Sequence, residues 1–215
     1  MARQLRAEQT RATILQAAAD LFDRHGYEAT SLAEIVEHAG VTKGALYFHF
    51  AAKEDLAQAI MELQSRTWRR LATELDGRGY TALEALMRLT FVMARLSAEG
   101  PVLRAGLRLA TAGAPVRPPL PHPFTEWVDI ASSRLLDAVG QADLHPEIDV
   151  ESVAHTIVCS FVGSRVVGLT LEPAARQPRR MAEMWHVLIR GMVPVTRRAR
   201  YLSLAARLER EASAA

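Results

Sequence analysis

An all-helical fold is predicted, on three observations. Apolar residues recur at i, i+3, i+4 and i+7 through most of the chain, no segment alternates with the period of a strand, and glycines, prolines and capping boxes punctuate it at helix-length intervals. The 215 residues are 49% hydrophobic, enough to bury a core in one large domain or two modest ones. About ten helices are expected.

Residues 1–7 are polar and carry Arg3 and Arg6, which fits either a frayed terminus or an arm that touches phosphate. From Glu8 to Arg24, Ile14, Ala17, Ala18, Leu21 and Phe22 give a helix one buried face, and Gly26 ends it. Ser31 to Phe50 reads SLAEIVEHAGVTKGALYFHF, two short helical patterns joined at Ala39-Gly40-Val41, the spacing of a helix-turn-helix. Ser31-x-x-Glu34 is a capping box, Gly40 supplies the positive φ that closes the first helix, and Thr42 caps the second.

Stepping about 100° per residue along that second helix places Lys43, Gly44, Tyr47 and Phe48 on one side. Ala45, Leu46 and Phe50 fall on the other. A lysine, a glycine and two rings are an odd solvated face but a serviceable DNA-facing one. Lysine can donate to guanine O6 and N7, glycine admits close backbone approach, and phenylalanine can meet a thymine methyl. Thr42, His49 and Lys53 flank the face, with Thr42 and Lys53 at helix starts that favour phosphate. An ordinary αα-hairpin with its rings buried is the competing explanation.

Lys53 opens a long fourth helix striped by Leu56, Ile60, Leu63, Thr67 and Leu71. It runs to Gly77-Arg78-Gly79, a span of about 36 Å at 1.5 Å per residue, and is the natural link between two domains. Thr81-x-x-Glu84 is a second capping box opening a helix toward Gly100-Pro101, and a shorter helix covers 102–111. The prolines at 115, 118, 119, 121 and 123 forbid a helix over 113–124 and stiffen the chain, as a spacer or as one wall of a cavity. Thr125 caps a helix through Val139 with Trp127 in its first turn, and Asp149 starts another through Leu171 whose face is Val153, Ile157, Phe161, Ser164 and Gly168. Pro178 begins the next and Pro194 closes it, and a terminal helix covers 196–211.

The formal net charge is only +2, and residues 1–53 balance six basic against six acidic side chains, so any DNA affinity must come from charge placement. Residues 173–215 hold nine arginines against three acids, read mostly as a solvated face. The single cysteine, Cys159, excludes an intramolecular disulfide, and its apolar setting TIVCSFV predicts a buried, inert thiol. The longest uncharged stretch, Ser152 to Ser164, is too short to span a bilayer and the polar N-terminus holds no signal core, so a cytoplasmic protein without membrane contact is expected. No histidine pair has ligand spacing, and neither a nucleophile elbow nor a phosphate loop occurs, so neither an enzyme nor a cofactor is expected. Two late helices are apolar over most of their circumference, more surface than one subunit can absorb, and pairing them with their copies would bury it in a homodimer.

The block TILQAAADLFDRHGYEATSLAEIVEHAGVTKGALYFHFAAKEDL resembles the TetR family of bacterial transcriptional repressors. The remainder is similar to the γ-butyrolactone receptor branch of that family in GPVLRAGLRLATAG, PVRPPLPHPFTEW and RGMVPVTRRARY. The resemblance implies a homodimer with a DNA-binding domain over 1–52 and a ligand-binding and dimerisation domain over 53–215. It implies double-stranded operator DNA as partner through Thr42, Lys43, Gly44, Tyr47, Phe48, His49 and Lys53, and a small-molecule effector of γ-butyrolactone type, with Trp127 as the pocket tryptophan. Phe91, Phe161 and Trp185 are further candidates for the pocket, each equally explicable as core. Other branch members answer to antibiotics or to no known ligand, and a sequestering protein that has lost DNA recognition is the alternative from another class.

Overall fold

The computed structural model describes residues 2–114, 123–171 and 176–214. Side chains at 2, 3 and 168–170 are outside that description, as is the proline run at 115–122. The expectations for Arg3, the spacer and Gly168 therefore lie outside the described residues.

Ten helices and no strand are found among the described residues: α1 (Ala2–His25), α2 (Leu32–Ala39), α3 (Lys43–His49), α4 (Lys53–Asp76), α5 (Ala82–Glu99), α6 (Pro101–Thr111), α7 (Pro123–Gly140), α8 (Val150–Leu171), α9 (Gln177–Met192) and α10 (Val195–Ser213). The polar arm is itself helical: α1 starts at Ala2, and Gln4 to Glu8 and Thr10 to Arg6 bond along it. No breaker interrupts ARQLRAEQ, so the helix propagates backward from its buried turns. The helix α7 begins at Pro123, two residues before Thr125, because proline at a first position has no N–H to lose.

By packing, the chain divides into two units. One unit holds α1–α3, α4 up to Arg66, and α6; the other holds α4 from Thr67, α5 and α7–α10.

In the first unit Ile14, Ala18 and Phe22 of α1, Ile35 of α2, Leu46 of α3 and Leu56 and Ile60 of α4 are wholly buried together. Each of the larger side chains, Ala18 excepted, contributes roughly 1.5–3 kcal/mol relative to exposure. The short helix α6 lies on α1, where Arg104 Nε donates to Asp23 Oδ2 at 2.7 Å and Arg108 donates to the Asp23 carbonyl. It also meets α4 closely: Gln64 Nε2 donates to the Leu103 carbonyl at 3.2 Å, and a Cβ on Gly106 would stand 2.7 Å from Gln64 Oε1.

Along α4 the buried stripe is not the expected one. Leu63 is 37% exposed, and Ala57, Met61, Gln64, Trp68, Ala72 and Leu75 join Leu56 and Ile60 inside. Steps of four drift off a 3.6-residue period, and the true face follows the drift.

In the second unit α5 buries Leu83, Leu86, Met87, Leu89, Phe91 and Met93. The Thr81 box at its start is half made. Glu84 N reaches Thr81 Oγ1 at 3.4 Å, but the Glu84 carboxylate accepts from Arg88 Nε at 3.0 Å and Nη2 at 2.9 Å instead of returning to the cap. Charge-assisted bonds win over a neutral backbone donor. The Thr81 hydroxyl meets Tyr201 Oη at 3.0 Å, and burial pushes the Tyr201 phenol up to about 12, with the Asp143 carboxylate reinforcing it. Asp143, fully buried, pairs with Arg197.

Outward on α8 and α9 stand Val166, Val167, Leu171 and Val187, all exposed. Cys159 is exposed as well, contrary to the expectation of a buried thiol, because it lies on the same outward face as His155, one turn earlier. By length and composition Val150–Val167 is apolar enough to cross a membrane, a longer window than Ser152–Ser164 because it tolerates Glu151 and Arg165. Arg165 is 1% exposed.

Candidate functional site

The turn between α2 and α3 is built by three local devices. Ser31 Oγ accepts from Glu34 N at 3.2 Å while Glu34 Oε2 accepts from Ser31 N at 2.7 Å, so both halves of the capping box are present. Those serine bonds hold the Glu34 carboxyl below the ordinary carboxylate range. Gly40 takes φ 63°, and its N–H returns to the Glu37 carbonyl. Thr42 Oγ1 accepts from Ala45 N at 3.2 Å, which leaves the hydroxyl proton free to donate outward.

Only Leu46 of α3 is buried, at 0% exposure, and it anchors the helix on the core. Everything the core does not need faces out: Phe48 is 79% and Tyr47 47% exposed, with Lys43 and Gly44 exposed beside them. His49, half-buried, sets its ring edge-on to Phe48 at 5.0 Å and so fixes the exposed ring's direction. The Lys43 ammonium lies 6.0 Å from the Tyr47 ring centroid. A Cβ on Gly44 would find only Thr42 Oγ1, at 4.0 Å. Neither crowding nor a positive φ requires glycine there, although glycine in a helix costs about 0.5–1 kcal/mol relative to alanine.

Lys53, at the start of α4, is engaged within the fold. Its Nζ donates to the carbonyls of Tyr27 at 2.9 Å and Thr30 at 3.0 Å and lies 4.3 Å from the Tyr27 ring centroid. The side chain closes the turn between α1 and α2, a long-range bond that helix-start chemistry could not reveal.

The second candidate site lies among α4, α5, α7 and α8. Arg134 holds α7 to α4 by donating to both Asp76 carboxylate oxygens at 2.9 Å and to the Ala72 carbonyl at 2.8 Å. Arg69 and Glu126 pair at 2.6 Å nearer the start of α7. These bonds set Trp127 against Trp68 with ring centroids 4.6 Å apart, and Phe161 stands edge-on to both, at 6.1 and 5.4 Å. The rings nearly fill their own cavity, which is about 20 Å³, room for a water molecule and little more. Both indole Nε1 groups are buried without an acceptor among the described residues. Leaving such a donor unmade costs about 1–3 kcal/mol. The cavity is walled by Leu86, Leu89 and Ile157 together with the rings, an apolar enclosure suited to a hydrophobic guest.

Of the pocket residues expected from sequence, Trp127 and Phe161 share this cavity. Trp185 stands one residue behind it, its Nε1 donating at 2.9 Å to Oγ1 of Thr90, which does line it. Phe91 does not belong to it. It lines a separate groove with Arg88 and Leu208, because it points from another side of α5. Trp68 lines the same cavity, although at helix spacing it reads as core until Trp127 is set against it.

Two sites of this kind define a class: helix-turn-helix proteins with a second helical unit that encloses an aromatic receptor cavity. The chain belongs to the TetR family. Residues 14–60 match "Bacterial regulatory proteins, tetR family" and residues 80–194 match "Tetracyclin repressor-like, C-terminal domain". The A-factor receptor protein of Streptomyces griseus is 40% identical over 191 residues, which cover 87% of this chain and 66% of that relative's length. A crystal structure of a γ-butyrolactone receptor (ArpA-like protein) superposes with TM-score 0.88 at 76% identity, covering 96% of this chain and 99% of that one. CprB from Streptomyces coelicolor, in complex with its biological operator sequence, gives TM-score 0.87 at 78% identity over 95% of this chain and 98% of its own.

Proposed function

We propose that this protein is a ligand-responsive transcriptional repressor that binds operator DNA as a homodimer and is released by a small hydrophobic signal of γ-butyrolactone type. The observation that carries the reading is the outward face of α3, where Lys43, Gly44, Tyr47 and Phe48 are exposed while Leu46 alone holds the helix to the core. Two adjacent rings left exposed beside a lysine, with the core using neither, support a partner-facing surface. Thr42 and His49 complete the face, with Lys53 a further DNA contact at the start of α4. The functional division of the chain falls at 1–52 for DNA reading and 53–215 for effector binding and dimerisation. The likeness to the A-factor receptor and to operator-bound CprB supports both halves.

The exposed Val166, Val167, Leu171 and Val187 support pairing of α8 and α9 with their copies. Two α3 helices then read half-sites about 34–36 Å apart, or at a longer in-phase spacing. An effector that binds preferentially to a form with another separation weakens DNA binding, by no more than its own differential affinity for the two forms. The effector opens the Trp68–Trp127 cluster. Such a protein works in the cytoplasm and catalyses nothing.

Selection of bound duplexes from a random pool, followed by gel shift with an alkyl γ-butyrolactone, tests this. An enriched inverted repeat, shifted by the protein and released by the lactone, is the expected result. A shift that no lactone relieves removes the effector half of the reading. Failure to shift any duplex at low salt leaves a sequestering protein in its place.

A further inference from the structure

Arg11, on α1, holds its guanidinium over the Phe50 ring, with Cζ 5.0 Å from the ring centroid. Phe50 caps the C-terminal end of α3 and is 3% exposed, so the cation rests on a ring that the core fixes in place. A row of rings leads from there to the outward face. The Phe50 and His49 centroids are 6.5 Å apart, and those of His49 and Phe48 are 5.0 Å apart. Arg11 therefore adjoins the closing end of α3, while Thr42 caps the opening end.

The cation is uncommitted. Arg11 is exposed, and among the described residues neither a carboxylate nor a carbonyl takes its N–H groups. Glu8, one turn back on α1, accepts from Gln4 at 3.4 Å instead. Other arginines of the same unit are spent inside it: Arg104 and Arg108 both donate to Asp23. A cover for Phe50 alone needs no charge, since a methionine would shield the ring as well. A guanidinium stacked on a ring, by contrast, is held in one plane with its edge donors free to fork onto an oxyanion.

The position suits such an oxyanion. With seven residues α3 is about 10 Å long, and the major groove is about 12 Å wide, so groups just past the ends of a helix lying across it come near the sugar–phosphate walls. Residues 1–53 balance six basic against six acidic side chains, so phosphate binding depends on the few cations left unpaired beside the reading face.

We propose that Arg11 binds a backbone phosphate of the operator at the closing end of α3, a contact that rests on the reading of α3 as the DNA-reading helix. It lies ahead of the family-matched stretch 14–60, which assigns it nothing. Phe50 is the platform that aims the guanidinium, and the contact adds affinity without base preference.

Fluorescence anisotropy of the full chain on the selected duplex and on a random one, across a salt series, tests the contact. Each phosphate contact adds about 0.9 to the slope of log affinity against log salt. Arg11→Gln therefore lowers that slope by about one and weakens both duplexes alike, by about eightfold at about 0.1 M salt. Arg11→Met shields Phe50 without a charge and shows the same loss, whereas Arg11→Lys keeps the slope. Thermal melting of each variant reads separately what the ring contact gives the fold. A parent-like slope in Arg11→Gln and Arg11→Met overturns the proposal and leaves Arg11 as a cover for Phe50. A loss confined to the selected duplex also overturns it, because phosphate is common to every sequence. A parent protein that binds neither duplex at low salt brings down the reading of α3 itself, and the proposal with it.

Discussion

Gly44→Ala separates what the fold needs from what a partner needs. The added Cβ meets nothing closer than Thr42 Oγ1 at 4.0 Å, and the residue lies in helical backbone without a positive φ. In the free protein the change removes the glycine penalty and stabilises by about 0.5–1 kcal/mol. For a chain of this size that raises Tm by roughly 2–4 °C per kcal/mol. On the selected operator the same methyl occupies the space through which the α3 backbone approaches the groove, and affinity falls by about tenfold, or about 1.4 kcal/mol. Thermal melting and fluorescence anisotropy on one preparation read both quantities. Gly106→Ala is the opposing control. Its Cβ would stand 2.7 Å from Gln64 Oε1 and 3.2 Å from Gln64 Cβ, and Gln64 is buried and bonded, so stability drops by about 1–3 kcal/mol. A Gly44→Ala protein that melts higher yet binds operator as tightly as the parent refutes the close approach. One that melts lower refutes the open space.

Lys43→Ala is expected to cost about 1–3 kcal/mol on the preferred duplex and to relax base preference, leaving Tm unchanged. Equal losses on specific and random duplexes in the anisotropy assay would sink its base-reading role. Lys53→Met deprives the Tyr27 and Thr30 carbonyls of their donor, so it lowers folding stability by about 1–3 kcal/mol in denaturant titration. A parent-like unfolding midpoint would contradict that, and a DNA-binding salt slope reduced by about one would mark Lys53 as a phosphate contact. Tyr201 has its folded-state pKa raised from 10.0 to about 12, so its contribution to stability is whole below pH 10 and is lost as pH climbs from 10 toward 12. In Tyr201→Phe that alkaline decline is shallower; an identical stability profile in the variant contradicts the assignment.

What the sequence showed clearly was local. The boundaries of α2 and α3 follow from Ser31, Glu34, Gly40 and Thr42, whose bonds span three or four residues. The outward face of α3 follows from the 3.6-residue period alone. What it hid was set by distant partners. Nothing near Lys53 announces the carbonyls of the turn between α1 and α2, and Glu84 looked like a capping residue until Arg88 claimed its carboxylate. Phe91 and Phe161 are indistinguishable as aromatics on amphipathic helices, yet α5 turns one to the arginine groove while α8 turns the other to the tryptophans. Packing of α6 on α1 rests on Asp23 with Arg104 and Arg108, about eighty residues along the chain. The thiol of Cys159 misled because an apolar neighbourhood in sequence is also what an unpaired helix face looks like.

The contact of Trp68 with Trp127 has an optical consequence. Two indoles at 4.6 Å couple their electronic transitions, so separating them alters the near-ultraviolet dichroism and the emission of the unlabelled protein. Any compound that enters between them therefore announces itself in the spectrum, and candidate signals can be screened by cuvette before a single strand of DNA is added.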